Sequence, residues 1–226
     1  MTSCDQYKYV PIHLQITKIV ALVLIVLTQA SPAEARTLSP TESFHILRDS
    51  SSVSIIVFRA GVLGPFGHNH VISSHGITGD ISLTEGPNQA GRFSLSLPFE
   101  SLVVDKDSER EAMGNGFRTE ISDNAKIATR NHMMGPKVLD YPRFKRITVT
   151  GDLVNQIVKA KISLHGVSQS ISVPIQVLRS DGKLMVRGDF SIKQSVFGIK
   201  PYHAIAGMLK IKDRIDIHFT INAEKK

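Results

Sequence analysis

Two histidines separated by one residue stand in the most unusual segment of this 226-residue chain, Gly64-Pro65-Phe66-Gly67-His68-Asn69-His70. On an extended strand, side chains at i and i+2 leave the same face, so His68 and His70 could offer two imidazoles to one metal ion. Zinc would need at least one further ligand, and His75, His132 and His203 are the histidines at hand. The competing reading is that His68 and His70 hydrogen-bond at a barrel mouth or a turn, because no carboxylate stands near them in sequence. A metal-binding protein built on His68 and His70, enzymatic or not, is therefore the alternative, and no metal is the expectation. The triplet His-Asn-His does not match the nuclease family whose name it suggests, since that family spreads its residues over a longer ββα unit.

Other chemistries lack their signatures. Gly-x-Ser-x-Gly is absent, so no hydrolase triad is assigned. Phosphate-cradling glycine loops are absent as well, and Gly114-Asn115-Gly116 reads as a turn. No catalytic residue is expected. Lys193, Lys200, Lys210, Lys212, Lys225 and Lys226 read as a solvated face, with contact to a membrane surface as the second reading.

Strands must position these groups. Apolar residues recur with period two: Phe93, Leu95, Leu97 and Phe99; Ile147, Val149, Gly151 and Leu153; Val158, Ala160, Ile162 and Leu164. The same holds for Ile171 to Val177 and Leu184 to Ile192, and most cleanly for Ile215, Ile217, Phe219 and Ile221. One face is buried and the other wet, as in antiparallel sheets. Turn signals fall at Glu85-Gly86-Pro87-Asn88, Gly151-Asp152, His165-Gly166 and Ser180-Asp181-Gly182. With Ser52–Phe58 and a strand around His70, this predicts an all-β protein of eight or nine strands, a barrel or a sandwich. Glycines within strands (Gly79, Gly151, Gly188) would allow the bends that closure needs.

The stretch from about Asp105 to Asp140 departs from this pattern. Asp107 to Glu111 predicts a short helix, and the caps Ser122-Asp123-Asn124 a second that runs to Met134 and stops at Gly135-Pro136. Ile127, Met133, Val138 and Leu139 are expected to form the apolar side of this helical crossover.

The N-terminus bears on location. Ile19 to Leu27 is an unbroken apolar run preceded by Lys8 and Lys18, and Ala33-Glu34-Ala35 follows as a small-x-small cleavage site. At 1.5 Å rise per residue the run covers about half a bilayer core, which predicts a signal peptide rather than a span. The expected layout is a signal over 1–35, a polar lead over 36–44, one barrel domain over 45–222 and a polar tail, and the location periplasmic or secreted. Cys4, the only cysteine, falls in the segment to be removed, so neither a disulfide nor a thiol function is expected. Removal takes away equal numbers of cations and anions, so the mature chain keeps the formal charge of +7. Export argues against nucleic acid as the target of that charge.

With no catalytic set, attention passes to the interior. An eight-stranded barrel is either filled by side chains or just wide enough for one ligand. Aromatic content is 6% with no Trp, and the inward positions are Ile, Val, Leu and small residues, so a packed core and a tunnel both stay open.

Several segments together resemble the YceI-like family of bacterial periplasmic proteins. They are Phe58-Arg59-Ala60-Gly61 with Phe66-Gly67-His68-Asn69-His70, Val138 to Phe144, Ile162 to Ser168, and Phe190 through Gln194 to Ile199. Order and spacing fit from about residue 45 to 222. The resemblance implies a lipocalin-like antiparallel β-barrel holding a polyisoprenoid chain without catalysis. No other cofactor is expected, and a second copy of the chain is a further candidate partner. The residues taken to contact ligand are His68, His70, Tyr141 and His203, placed near a head group at the mouth, and Phe197 from the last matching stretch. The chain departs from the family at Ser50-Ser51-Ser52, where a His-Ser pair is common, and at Gln194 and Val196, where Arg and a polar residue often stand. These departures mark a divergent branch whose ligand is open.

Overall fold

The computed structural model describes residues 40–84 and 90–226. The signal segment and the turn at residues 85–89 lie outside the described residues.

Period-two patterning becomes strand nearly everywhere the sequence carries it. In β12 (Leu209–Lys225), Ile215, Ile217, Ile221 and Ala223 are buried, while Lys210, Lys212, Arg214, His218 and Glu224 face water. The other strands are β1 (Thr41–Ile46), β2 (Ser52–Ala60), β3 (His70–Ser74), β4 (Thr78–Thr84), β5 (Ala90–Pro98) and β6 (Val103–Val104). They are followed by β7 (Arg146–Val154), β8 (Ile157–Leu164), β9 (Val167–Ser180), β10 (Lys183–Lys193) and the short β11 (His203–Ala204). Two α-helices, α1 (Asp107–Ala112) and α2 (Asp123–Met134), make the crossover between β6 and β7. The Ser122 hydroxyl accepts the Ala125 N–H as the α2 cap, as expected.

The strands close into an eight-stranded antiparallel barrel. Three of its staves are composite: β1 runs on into β2, β4 continues β3, and β6 continues β5 past a single 3-10 turn. The ladder then passes through β7, β8, β9 and β10 to β12, which pairs with β1 at one end and β2 at the other. The three composite staves bend at one level, where Ser51 is wholly buried. Its hydroxyl bonds Leu47 O at 2.8 Å and accepts the Asn222 N–H at 3.0 Å. Ser74 and Ser101 share a hydrogen bond at 2.7 Å on the neighbouring staves. Buried polar atoms at these bends are thus satisfied within the wall. The first strand starts at Thr41, inside the stretch read as a polar lead.

One end of the barrel is made of tight hairpins and the other of loops and helices. The hairpin at Asp181-Gly182 takes the left-handed pair of conformations (φ 48° and 74°) that its sequence suggests. The turn expected at Gly151-Asp152 is not there. Both residues lie inside β7, and the chain reverses at Asn155-Gln156, with φ of 49° and 64°. Gly151 is instead a packing residue, since a Cβ there would come 2.1 Å from Lys159 O across the ladder.

The β9–β10 ladder opens toward the loop end. Their pairing stops at Ile175 and Gly188. The Ile175 N–H bonds Gln156 O at 2.9 Å on the β8 side, so the Pro174 nitrogen points toward β10 and has no hydrogen to give. The segment Gln194–Ile199 fills this seam, with Gln169 Nε2 donating to Val196 O at 2.8 Å. The Asp213 carboxylate anchors it by accepting Ser195 N–H at 2.8 Å and the Ser195 hydroxyl at 2.6 Å. Asp213 sits in a bulge of β12, where Lys212, Asp213 and Arg214 stand opposite the single residue Phe58 of β2.

Candidate functional site: a capped apolar barrel interior

Inward side chains of β5, β7, β8, β9, β10 and β12 alternate correctly, yet many are only half-buried. Phe93, Val149, Val158, Val177, Val186 and Phe190 all point inward and keep accessible surface. The surface they keep faces an internal void of about 200 Å³ whose wall is apolar throughout. Small residues help to leave this room: Gly188 on β10 lets the Phe219 ring lie where its Cβ would be, 2.6 Å away. The interior is therefore hollow, which decides between the packed core and the tunnel.

The loop end is capped. Phe99 and Phe197 are fully buried, and Leu102, Met133, Leu139 and Ile199 pack with them in the same core. None of these six borders the void. Met133 and Leu139 carry the apolar side of the crossover as expected, but Ile127 is 56% exposed and takes no part. Phe144 and His165 meet at a tilt over this cap, with centroids 5.6 Å apart.

A second constellation lies at the same end, outside the cap. Asp105 is wholly buried with φ 54°, and its carboxylate accepts from Val71 N–H at 3.0 Å, Arg110 Nη1 at 2.8 Å and His70 Nδ1 at 2.6 Å. Arg110 is buried too and donates further to Asn69 O, Phe117 O and Thr119 O. Burial pushes the Asp105 carboxyl upward, but His70, the Val71 N–H and Arg110 outweigh it and hold it below the usual carboxylate range. His68 lies beside this group with Nδ1 buried and unpartnered. Burial, then His70 and Arg110, push its imidazole below the ordinary histidine value, so it is neutral near pH 7. The network ties β3 to α1. Sequence inspection missed Asp105 and Arg110 because they lie 35 and 40 residues from His70 and only the crossover brings them back.

The expected ligand-contacting residues all lie at the loop end, but none borders the void. His70 is bound to Asp105, and His203 is an exposed residue of β11. The Tyr141 hydroxyl donates to Glu100 Oε1 at 2.6 Å, and Lys145 Nζ stands 3.8 Å from its ring centroid. That hydrogen bond lowers the Glu100 carboxyl and raises the Tyr141 phenol. Phe197 belongs to the cap. His75 bonds Ser51 O at 2.9 Å, and His132 stacks edge-on against Tyr202 at 4.7 Å. Among the described residues no three His, Cys, Asp or Glu side chains are grouped to hold a metal ion. No helix of the described residues is long and apolar enough to cross a membrane.

A closed up-and-down barrel with a hollow apolar interior and one capped end defines the class: a lipocalin-like β-barrel. The YceI-like domain family matches residues 44–223, and the chain belongs to that family. Two solved structures share its fold. One is BcnA of Burkholderia cenocepacia, with a TM-score of 0.54 and 13% identity over 78% of this chain and 98% of that one. The other is a polyisoprenoid binding domain from Saccharophagus degradans implicated in plant cell wall breakdown, with a TM-score of 0.53 and 15% identity over 82% and 99%. No curated protein is significantly similar to the chain.

Proposed function

We propose that this protein binds one long, slender apolar lipid of the isoprenoid type inside the barrel, as a carrier rather than a catalyst. The observation that carries the reading is the void itself, bordered by inward side chains such as Val149, Val186 and Phe190 that would bury further surface against a guest. The void measures about 200 Å³ and the surface it presents is apolar, which suits an apolar guest rather than a polar one. The polyisoprenoid-binding description of the Saccharophagus degradans domain supports the same ligand class. We place the protein outside the cytosol, in keeping with the apolar run Ile19–Leu27 and the Ala33-Glu34-Ala35 site.

Organic extraction of the purified protein followed by mass spectrometry tests this. A stoichiometric isoprenoid lipid is expected from wild type. Repeated extracts without lipid, together with failure to take up an added long-chain isoprenoid alcohol, would overturn it. An N-terminal sequence beginning at Arg36 checks the location.

A further inference from the structure

We propose that the paired loops 61–67 and 202–208 dock the barrel onto an anionic phospholipid bilayer, with Val62 and Phe66 inserted among the lipids. Val62 is 84% and Phe66 82% exposed, more than any other large apolar side chain among the described residues. Tyr202, Ile205 and Met208 on the second loop are exposed as well. The two loops are one surface, because the Leu63 N–H donates to Met208 O at 2.9 Å. A Cβ on Gly61 would sit 2.3 Å from that same oxygen, so the contact is close. The other exposed large apolar groups among the described residues are on α2, on β6, at the hairpin end and at Val196 in the seam segment. A contiguous apolar tip of this kind marks an interaction surface.

The tip is held in shape without burying its side chains. Arg59 Nη1 donates to Pro65 O at 3.0 Å and Gly67 O at 2.8 Å, bracing the first loop from beneath. Three backbone bonds close the loop on itself: Gly64 to Gly61, Phe66 to Leu63 and Gly67 to Gly64. Ile205, a β-branched residue, is kept at φ 49° with its side chain outward.

Charge identifies the partner. No Asp or Glu occurs in residues 50–79 or 190–212, whereas Arg59, Lys193, Lys200, Lys210 and Lys212 all do. Asp213, the first acid beyond them, is engaged by Ser195. Lys212 Nζ stands 5.4 Å from the Phe58 ring centroid, its apolar stem lying against the wall. The two remaining terminal lysines are at the other end and already paired, Lys225 with Glu42 at 2.8 Å and Lys226 with Asp80 at 2.9 Å. An apolar tip whose flanking segments carry cations and no acid fits a surface of acyl chains beneath anionic head groups. Docking does not depend on what fills the barrel.

The chain has no tryptophan, so Phe66→Trp places a single reporter at the tip. Ile19–Leu27 is itself apolar, so partitioning alone would not identify the docking face, whereas emission from the introduced indole reads that position directly. With vesicles of phosphatidylcholine and phosphatidylglycerol, a blue shift and quenching by brominated lipid are expected. Phosphatidylcholine alone should bind at least about tenfold more weakly, each near-surface cation being worth roughly fivefold on an anionic membrane. Val62→Ser with Phe66→Ser should weaken partition by about tenfold or more, the loss of two inserted apolar side chains. Ile157→Ser with Leu178→Ser, exposed at the hairpin end, should not. An unshifted indole emission in the presence of anionic vesicles overturns the proposal. So does equal weakening by the two paired variants, or a change in that emission with a protein partner but not with vesicles.

Discussion

An empty interior carries a thermodynamic cost that can be worked out and measured. At about 24 cal/mol per Å³ of void, a cavity of about 200 Å³ leaves the unliganded barrel roughly 5 kcal/mol less stable than one filled to native density. Val149 on β7 and Val186 on β10 stand three staves apart around the ring, and both expose side-chain surface to the void. Replacing each by Phe puts an aromatic ring into that space. Each ring should return about 1–2 kcal/mol by burying apolar surface that the valine left uncovered. Lipid-extracted Val149→Phe/Val186→Phe should therefore resist urea better than extracted wild type by about 2–4 kcal/mol at an unchanged m-value. The same variant should retain at least tenfold less isoprenoid, whereas wild type should gain stability when lipid is restored. If the extracted double variant is instead less stable than extracted wild type, the rings have overpacked a filled core. The hollow-barrel reasoning then fails.

Asp105→Asn removes the anion facing buried Arg110 and should cost about 3–5 kcal/mol, the usual result of breaking a buried pair at one partner. Because the folded-state carboxyl lies below its ordinary value, its contribution is present above about pH 4 and is lost as pH falls through the lower folded value. The stability gap between wild type and Asp105→Asn should accordingly narrow as pH falls in acid titrations. Phe197→Ala removes a wholly buried cap residue and should cost about 3–5 kcal/mol by urea denaturation, with faster loss of bound lipid. Metal content should be the same, near zero, in wild type and in His68→Ala/His70→Ala, as read by mass spectrometry of the purified protein. A stoichiometric metal lost only in the variant would favour the alternative built on those histidines.

Strand identity was legible because alternation is local: Ile215, Ile217 and Ile221 face inward whatever the rest of the chain does, since a strand turns each successive side chain over. The α2 boundaries were legible for the same reason, from Ser122 and Gly135 alone. Turns without glycine were harder to read. Asn155-Gln156 forms the β7–β8 hairpin, while the conspicuous Gly151 serves the approach of Lys159 across the ladder. Pro174 was a readable signal of the open seam, as a residue without an N–H inside a long strand.

What lay beyond the sequence is what depends on distance in space. Whether inward valines meet across the barrel or leave a void depends on ring closure and on which large side chains fold over the end. Only the tertiary structure shows Phe99 and Phe197 doing so. The buried network around Asp105 joins residues separated by a whole crossover, so neither its members nor the tie between His70 and Asp105 could be seen in the spacing of His68 and His70. The lysines near the C-terminus looked like one face; the fold sends Lys225 and Lys226 to acidic partners at one end and leaves Lys200, Lys210 and Lys212 around the apolar tip at the other. Period and caps follow from neighbours along the chain, whereas cavities, buried ion pairs and surface patches follow from which neighbours closure brings together.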